Sequence, residues 1–144
     1  MKESLETECK SHVELFHQYF FNLIPDNEYI EHTLNRAFCL ADETAKKQYL
    51  ALKEKGFYTE LVTSSATMTI ICDSIQLDTD NMSFTYYGTQ RINRLTTSTL
   101  RTIVTTGTIE NTNIRSQNNP HGMIIRSWKT LQNKQLYTKN NKII

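Results

Sequence analysis

Hydrophobic and polar residues follow two different patterns on the two sides of Gly56. Before Gly56, apolar residues recur every three or four positions, the spacing that places them on one face of an α-helix. After Gly56, apolar and polar residues alternate, and nearly all of the threonines occur there. Alternation and β-branched side chains favour half-exposed β-strands. A helical half followed by a stranded half predicts the α+β class, with N-terminal helices packed on an antiparallel sheet.

Two helices are predicted in the first half. The first covers about residues 4–23, and the second starts at about residue 26, where an Asp-Asn pair can cap its N-terminus. The second helix is expected to continue, with a bend at residues 42–44, as far as Gly56, whose lack of a Cβ suits a left-handed C-cap. The large apolar side chains expected to pack against the sheet are Phe16, Phe20, Phe38 and Tyr49.

Four strands are predicted in the second half, at about residues 66–77, 83–93, 98–110 and 122–131. The apolar residues of the first strand change face near Asp73 and Ser74, which indicates a β-bulge there. A polar loop at residues 116–120 precedes the last strand. Asn119, Pro120 and Gly122 form an Asn-Pro-x-Gly sequence that predicts a tight turn, with φ fixed at Pro120 and positive at Gly122.

Length and composition indicate one compact soluble domain. The chain has 144 residues, of which 38% are hydrophobic and 22% charged. No apolar run approaches the length of about 18 residues that a membrane-spanning helix needs, and no apolar segment of a secretory signal follows the first Met. The 3 cysteines include no Cys-x-x-Cys pair, so they form neither a disulfide framework nor a structural zinc motif.

Charge is unevenly divided along the chain, although the net charge is +1. Residues 1–80 hold 7 Lys or Arg against 14 Asp or Glu, whereas residues 81–144 hold 9 against 1. Two explanations are open. Two packed layers of opposite charge would attract each other, or the basic half would bind an acidic partner such as nucleic acid or anionic lipid.

Candidate metal ligands are few. Glu8 and His12 are neighbours on one helix face and Cys9 is adjacent, but a tetrahedral zinc site needs three or four ligands. We therefore predict no metal site and no cofactor. The histidines of the two helices, His12, His17 and His32, are expected to be exposed beside acidic residues.

Catalytic motifs are also few. The sequence contains no Gly-x-Ser-x-Gly nucleophile motif, and its 4 glycines form no phosphate-binding loop. A cupped sheet covered by helices can nevertheless hold a pocket, in which Asp73 with Tyr19 or Tyr86 would transfer protons. No known catalytic motif has the sequence spacing of Asp73 with either tyrosine. We predict that the protein is not an enzyme, and we keep a small-ligand-binding or isomerase-like domain as the alternative.

A platform for single-stranded DNA is a second alternative, because stacking aromatics and phosphate-binding cations occur together in the strands. The residues concerned are Arg91, Arg94, Arg101, Arg115, Arg126, Lys129, Tyr86, Tyr87 and Trp128. The cations fall on both alternating faces of the strands, so the sequence does not predict a single patch. Thr-rich strands with aromatics near their ends also suit a protein–protein interface.

The chain resembles the TraK family of conjugative transposons, a relative of the eighth VirB component of type IV secretion systems. The resemblance covers about residues 12–134 and rests on separated stretches in the same order. These stretches are residues 16–21 (Phe-His-Gln-Tyr-Phe-Phe), 25–26 (Pro-Asp), 37–42 (Ala-Phe-Cys-Leu-Ala-Asp), 56–58 (Gly-Phe-Tyr) and 118–122, with Trp128, Leu131 and Asn133 after them. The run Asn119-Pro120-His121-Gly122 is similar to the Asn-Pro-x-Gly motif of the eighth-component family.

The resemblance implies a nuclear-transport-factor-2-like or cystatin-like cone, with N-terminal helices packed on a curved four-stranded antiparallel sheet. It implies a non-enzymatic scaffold of the bacterial inner membrane, whose single soluble domain (residues 1–144) lies in the periplasm and binds a second copy and other channel proteins. The family's transmembrane helix is absent from this chain, and no small-molecule ligand is implied. The motif residues Asn119, Pro120 and Gly122 are carried over as a protein-interaction or structural loop.

Overall fold

The computed structural model describes residues 2–140, and within them it has the α+β architecture expected from the sequence. The strands form one antiparallel sheet in the order β1-β2-β3-β4. The helices cover one face, here called the inner face, whereas residues of the opposite, outer face are exposed or half-buried. The elements are α1 (Lys2–Phe21), α2 (Asn27–Phe38), α3 (Glu43–Glu54), α4 (Phe57–Thr63), β1 (Thr67–Asp78), β2 (Ser83–Asn93), β3 (Thr97–Asn111) and β4 (Met123–Asn140).

Helix α1 carries the centre of the core. Val13, Phe16 and Phe20 recur at helical spacing, and all three are buried. The ring of Trp128, from β4, lies 4.7 Å from the rings of both Phe16 and Phe20. Burying each large side chain of this kind stabilises the fold by about 1.5–3 kcal/mol. Hydrophobic packing of one helix face therefore holds α1 against the sheet.

The prediction of one continuous second helix is wrong, because the structure has two helices, α2 and α3, separated at residues 39–42. There the backbone pairs with β4: Ile125 N donates to the Leu40 carbonyl (2.9 Å), and Asp42 N donates to the Ile125 carbonyl (2.8 Å). Asp42 then caps α3 by accepting from Thr44 N (3.0 Å). The helix is interrupted because Ala41 pairs with Ile125, more than eighty residues away, and no local sequence pattern predicts this pairing.

Two predicted helix ends are confirmed, and one short helix was missed. Asp26 caps α2 by accepting from the backbone N–H groups of Glu28 and Tyr29. Gly56 has a φ of +80°, as expected. The chain then continues directly into α4, which has only 7 residues, and two turns are too short to show a hydrophobic period.

Phe38 and Tyr49 are not buried against the sheet, contrary to the prediction. Both are only partly buried. Their rings lie 5.6 Å apart, and the ring of Tyr49 lies 5.2 Å from that of Tyr58 in α4. The missed helix supplies this alternative partner, so the three rings join α2, α3 and α4 to one another.

The strands follow the prediction closely, except at the end of the chain. The register of β1 against β2 shifts between Cys72 and Ser74, which confirms the predicted bulge. Strand β4 continues to Asn140 instead of ending at Leu131. Residues 129–140 are all exposed, so they have no buried face and show no alternation. Pairing with β3 alone defines the extension.

Candidate protein-interaction site

Residues 112–122 form a closed loop between β3 and β4, here called the motif loop. At its base, the backbone N–H and the hydroxyl of Thr112 both donate to the Gly122 carbonyl at 2.8 Å. At its tip, Ser116 N donates to the Asn119 carbonyl (3.0 Å) and Asn119 N donates back to the Ser116 carbonyl (3.2 Å). These paired bonds hold both ends of the loop, which makes it a defined surface.

The Asn119 side chain ties the motif loop to two other elements. Its Nδ2 donates to the Cys39 carbonyl at the end of α2 (3.2 Å) and to the Met123 carbonyl in β4 (2.7 Å). Its Oδ1 accepts from Met123 N (3.2 Å). Asn119 is buried, so this predicted site residue positions the loop and does not present its side chain to a partner.

Gly122 is required by the backbone. Its φ is +64°, as predicted, and a Cβ built there would lie 3.2 Å from the backbone N and C of Ile114. Pro120 is exposed. Of the three predicted site residues, therefore, Pro120 alone offers its side chain to the surface.

The motif loop also packs against α1, through a polar contact and a pair of rings. Arg115 Nη2 donates to Glu8 Oε1 at 2.9 Å, which joins the basic half of the chain to the acidic half. A second ion pair, between Arg94 and Glu60, also joins the two halves. The rings of His12 and His121 lie 5.5 Å apart, edge to face. These contacts favour the interpretation of the charge division as attraction between packed layers.

The prediction that the α1 histidines are exposed is wrong. His12 and His17 are both fully buried, whereas His32 is exposed as expected. The Nε2 atom of His12 lies 3.0 Å from the Leu40 carbonyl, to which it donates. Burial lowers the pKa of His12 to about 4, because the charged form would lose its hydration. His12 is therefore neutral at neutral pH.

His17 links α1 to the middle of the sheet. Its Nδ1 lies 2.7 Å from the Val13 carbonyl, which can only accept, so Nδ1 carries the proton and Nε2 accepts from the hydroxyl of Thr105 (2.6 Å). The ring stacks on that of Tyr86 with centroids 3.7 Å apart. Burial lowers the pKa of His17 to about 3.

A sequence signal for the two buried histidines existed. The buried stripe of α1 contains Cys9, Val13, Phe16 and Phe20, and positions 12 and 17 lie within the same wide face at spacings of three, four and eight. Their polarity and the neighbouring acids nevertheless favour a surface position when the sequence is read alone. A histidine whose helical position falls inside an apolar stripe is instead predicted to be buried.

A groove adjoins the motif loop between α1 and α2, and its open part has a volume of about 220 Å³. The Arg36 guanidinium lies over the ring of Tyr19, 5.5 Å from its centre. A smaller cavity of about 40 Å³ continues from these two residues to Pro120. We call this surface the α1–α2 groove, and its lining residues include Gln18, Tyr19, Asn22, Tyr29, His32 and Arg36.

The proposed acid–base pair is not assembled in the structure. Tyr86 is buried beneath the sheet against His17, and burial raises the pKa of its hydroxyl. Asp73 accepts from the Thr89 hydroxyl (2.7 Å) at an exposed position, and Tyr19 lies in the α1–α2 groove. Within residues 2–140, no group of three or more His, Cys, Asp or Glu side chains is arranged to hold a metal ion.

The residues considered for DNA binding lie in different environments. Register places Arg91 on the outer face, whereas Arg101 pairs with Gln90 on the inner face. Arg115 and Arg126 bond to Glu8 and Glu110. The rings of Tyr86 and Trp128 are buried and cannot stack on bases. The structure therefore does not bring this set together as one platform.

Comparison with known proteins gives a clear result at the level of fold. No protein-family model matches the chain. No curated protein matches its sequence. Several solved structures match most of its length. Within residues 2–140, no helix is both long and apolar enough to cross a membrane.

Three of these structures come from type IV secretion. The soluble domain of TrwG from Bartonella grahamii is 17% identical, with 89% of this chain and 93% of that one covered and a TM-score of 0.65. VirB8 of Agrobacterium tumefaciens is 10% identical, with 96% and 94% covered and a TM-score of 0.69. TraE, solved with 2-(2-furyl)isonicotinic acid, is 13% identical, with 84% and 92% covered and a TM-score of 0.67.

The architecture of the chain is thus the nuclear-transport-factor-2-like fold of VirB8: four helices packed on a curved, open, four-stranded antiparallel sheet. Its structural neighbours are VirB8-like components of type IV secretion systems.

Proposed function

We propose that this chain is the soluble domain of a structural component of a conjugative type IV secretion channel, of the TraK kind and related to VirB8. The observation that supports this most strongly is the match of 84–96% of the chain to VirB8, TrwG and TraE domains. The sequence resemblance at the motif loop and in α1 points to the same system. The proposed action is scaffolding without catalysis.

The proposed place of the domain is the periplasm, with an inner-membrane helix preceding it in the full gene product. Its proposed partners are a second copy and other channel proteins. The α1–α2 groove and the motif loop suit such partners, since Tyr and Arg are the side chains most often found at the energetic centres of interfaces. Tyr29 is 41% exposed there, and Pro120 lines the adjoining small cavity together with Tyr19 and Arg36.

Fractionation of the full native gene product tests the proposed location. We expect the protein in the membrane fraction, with this domain degraded by protease added to intact spheroplasts. A cytoplasmic protein of the same cells, probed in the same samples, controls for leakage. Protection of the domain until the spheroplasts are permeabilised would contradict the periplasmic location, and recovery in the soluble cytoplasmic fraction would contradict the channel function itself.

Charge reversal at Arg36 tests the proposed interface. Arg36→Glu removes the cation at the centre of the α1–α2 groove, and loss of a central contact is expected to weaken partner binding by about tenfold or more. The measurement is the frequency of DNA transfer, together with the melting temperature of the purified domain. Arg91→Glu, on the outer face, is the matched control. Equal transfer by the two variants, at equal stability, would exclude the groove as an interface.

A further inference from the structure

A second cleft lies on the inner face, away from the motif loop. It is bounded by the end of α1, by α3 and α4, and by strands β1–β4, and its volume is about 330 Å³. An adjoining cavity of about 260 Å³ shares Phe21, Leu52 and Asn133 with it, so the two form one continuous space, here called the inner cleft. Apolar side chains make up most of its walls, including Phe57, Met68 and Ile92.

Gln90 is a buried polar side chain in this apolar space. The residue is only 3% exposed and lines the inner cleft. Its side-chain amide lies at the wall of the cleft and is not among the enclosed, unpaired polar atoms of residues 2–140. A polar group in such a place needs a hydrogen-bond partner, which water or a ligand can supply. A ligand with a hydrogen-bonding head group would satisfy this amide.

Arg101 stands beside Gln90. The two residues are direct partners in the β2–β3 register, so their side chains are neighbours on the inner face. Arg101 donates from Nε to Asn133 Oδ1 (2.9 Å) and from Nη2 to the Asn133 carbonyl (3.2 Å). These two bonds fix the guanidinium at the cleft and occupy two of its five N–H donors.

The charge of the inner cleft is positive. Arg101 and Lys55 line it, together with Arg94, which also pairs with Glu60, and no Asp or Glu is among its lining residues. Cations beside low-dielectric walls attract an anion more strongly than cations in open water. A planar carboxylate matches the geometry of an arginine fork and can also accept from an amide N–H, while the apolar walls suit a hydrocarbon or aromatic body.

We propose that the inner cleft binds an amphipathic monocarboxylate. The acid group lies against Arg101 and Gln90, and the apolar body lies between Leu52, Phe57 and Met68. This binding goes beyond the proposed scaffold function and does not depend on it, because no residue of the motif loop or of the α1–α2 groove takes part. It also differs from an isomerase site, since no proton-transfer pair lines the cleft.

The test uses 4-butylbenzoate as the probe and the isosteric 4-butylbenzamide as its uncharged control. Titration of the ¹⁵N-labelled chain is expected to shift the amide signals of Leu52, Phe57 and Gln90 with the benzoate. The benzamide should bind at least about tenfold more weakly, because it cannot form an ion pair with the guanidinium. Equal affinity for the two compounds, or no shift with benzoate at about 5 mM, would overturn the proposal.

Two variants assign the head-group contacts. Arg101→Gln should weaken benzoate binding by about tenfold, while Arg91→Gln, on the outer face of the adjacent strand, should leave it unchanged. Gln90→Leu should weaken benzoate binding, because it removes the amide that contacts the head group, and should leave the melting temperature close to that of the wild type. Unchanged benzoate affinity in both Arg101→Gln and Gln90→Leu would contradict the assigned site.

Discussion

Acidification from pH 7 to pH 4 is expected to lower the free energy of unfolding by several kcal/mol, chiefly through His17 and His12. Their pKa values are lowered by burial to about 3 and about 4, against 6.5 in the unfolded chain. Between those values the unfolded state binds protons that the folded state does not. The stability from each neutral histidine is therefore complete above about pH 6.5 and is lost as the pH falls towards its folded pKa, with a loss of about 3 kcal/mol each at pH 4.

The measurement is urea unfolding at several pH values, followed by the fluorescence of Trp128, the only tryptophan in the sequence. The diagnostic quantity is the slope of the unfolding free energy against pH. His17→Gln should flatten this slope between pH 6.5 and 4, whatever its effect at pH 7. His32→Gln, at an exposed position on α2, is the control and should leave the slope unchanged. Equal slopes in the wild type and His17→Gln would show that His17 is not held neutral.

Gly122→Val is expected to destabilise the domain by about 3 kcal/mol and to disturb the motif loop. A residue with a β-branched side chain at φ +64° is strained by about 1–3 kcal/mol. The new side chain would also press on the backbone of Ile114, which lies 3.2 Å from the position of its Cβ. Backbone atoms cannot rotate away as a side chain can, so the loop has to move.

Gly56→Val is the matched control. Gly56 also has a positive φ, +80°, but no heavy atom lies within 4 Å of the position of its Cβ. The difference in melting temperature between the two variants isolates the crowding at the motif loop from the backbone strain that both share. Gly122→Val should lose more stability and should also reduce DNA transfer. A melting temperature and a transfer frequency equal to those of the wild type would contradict the role assigned to Gly122.

Elements with a strong local signal could be predicted from the sequence. The apolar stripe of α1 places the core residues Phe16 and Phe20 correctly, and the alternation in the second half places the strands, because each repeat matches the geometry of one element. The bulge in β1 and the positive φ at Gly56 and Gly122 were also predictable. A change of face and a glycine after a helix or before a strand are local features.

Features that depend on distant partners could not be predicted. The end of α2 is set by hydrogen bonds to Ile125, and the length of β4 by its pairing with β3. The aromatic cluster around Tyr49 exists because α4, too short to show a period, folds back onto α3. Gly56 and Gly122 both have a positive φ, but only Gly122 is crowded by neighbouring atoms, and the sequence does not show this difference.

The sequence by itself determined the α+β class, the division into a helical half and a half of four strands, and the turn before β4, since these follow from the spacing of apolar residues, the backbone freedom of glycine and the fixed φ of proline. Only the tertiary structure decided that His17 is a buried neutral link to Thr105, that Asn119 braces the motif loop, and that Gln90 meets Arg101 in a cleft. The reason is physical: burial and hydrogen bonding of a polar side chain depend on atoms brought close by folding, from residues far away in the chain.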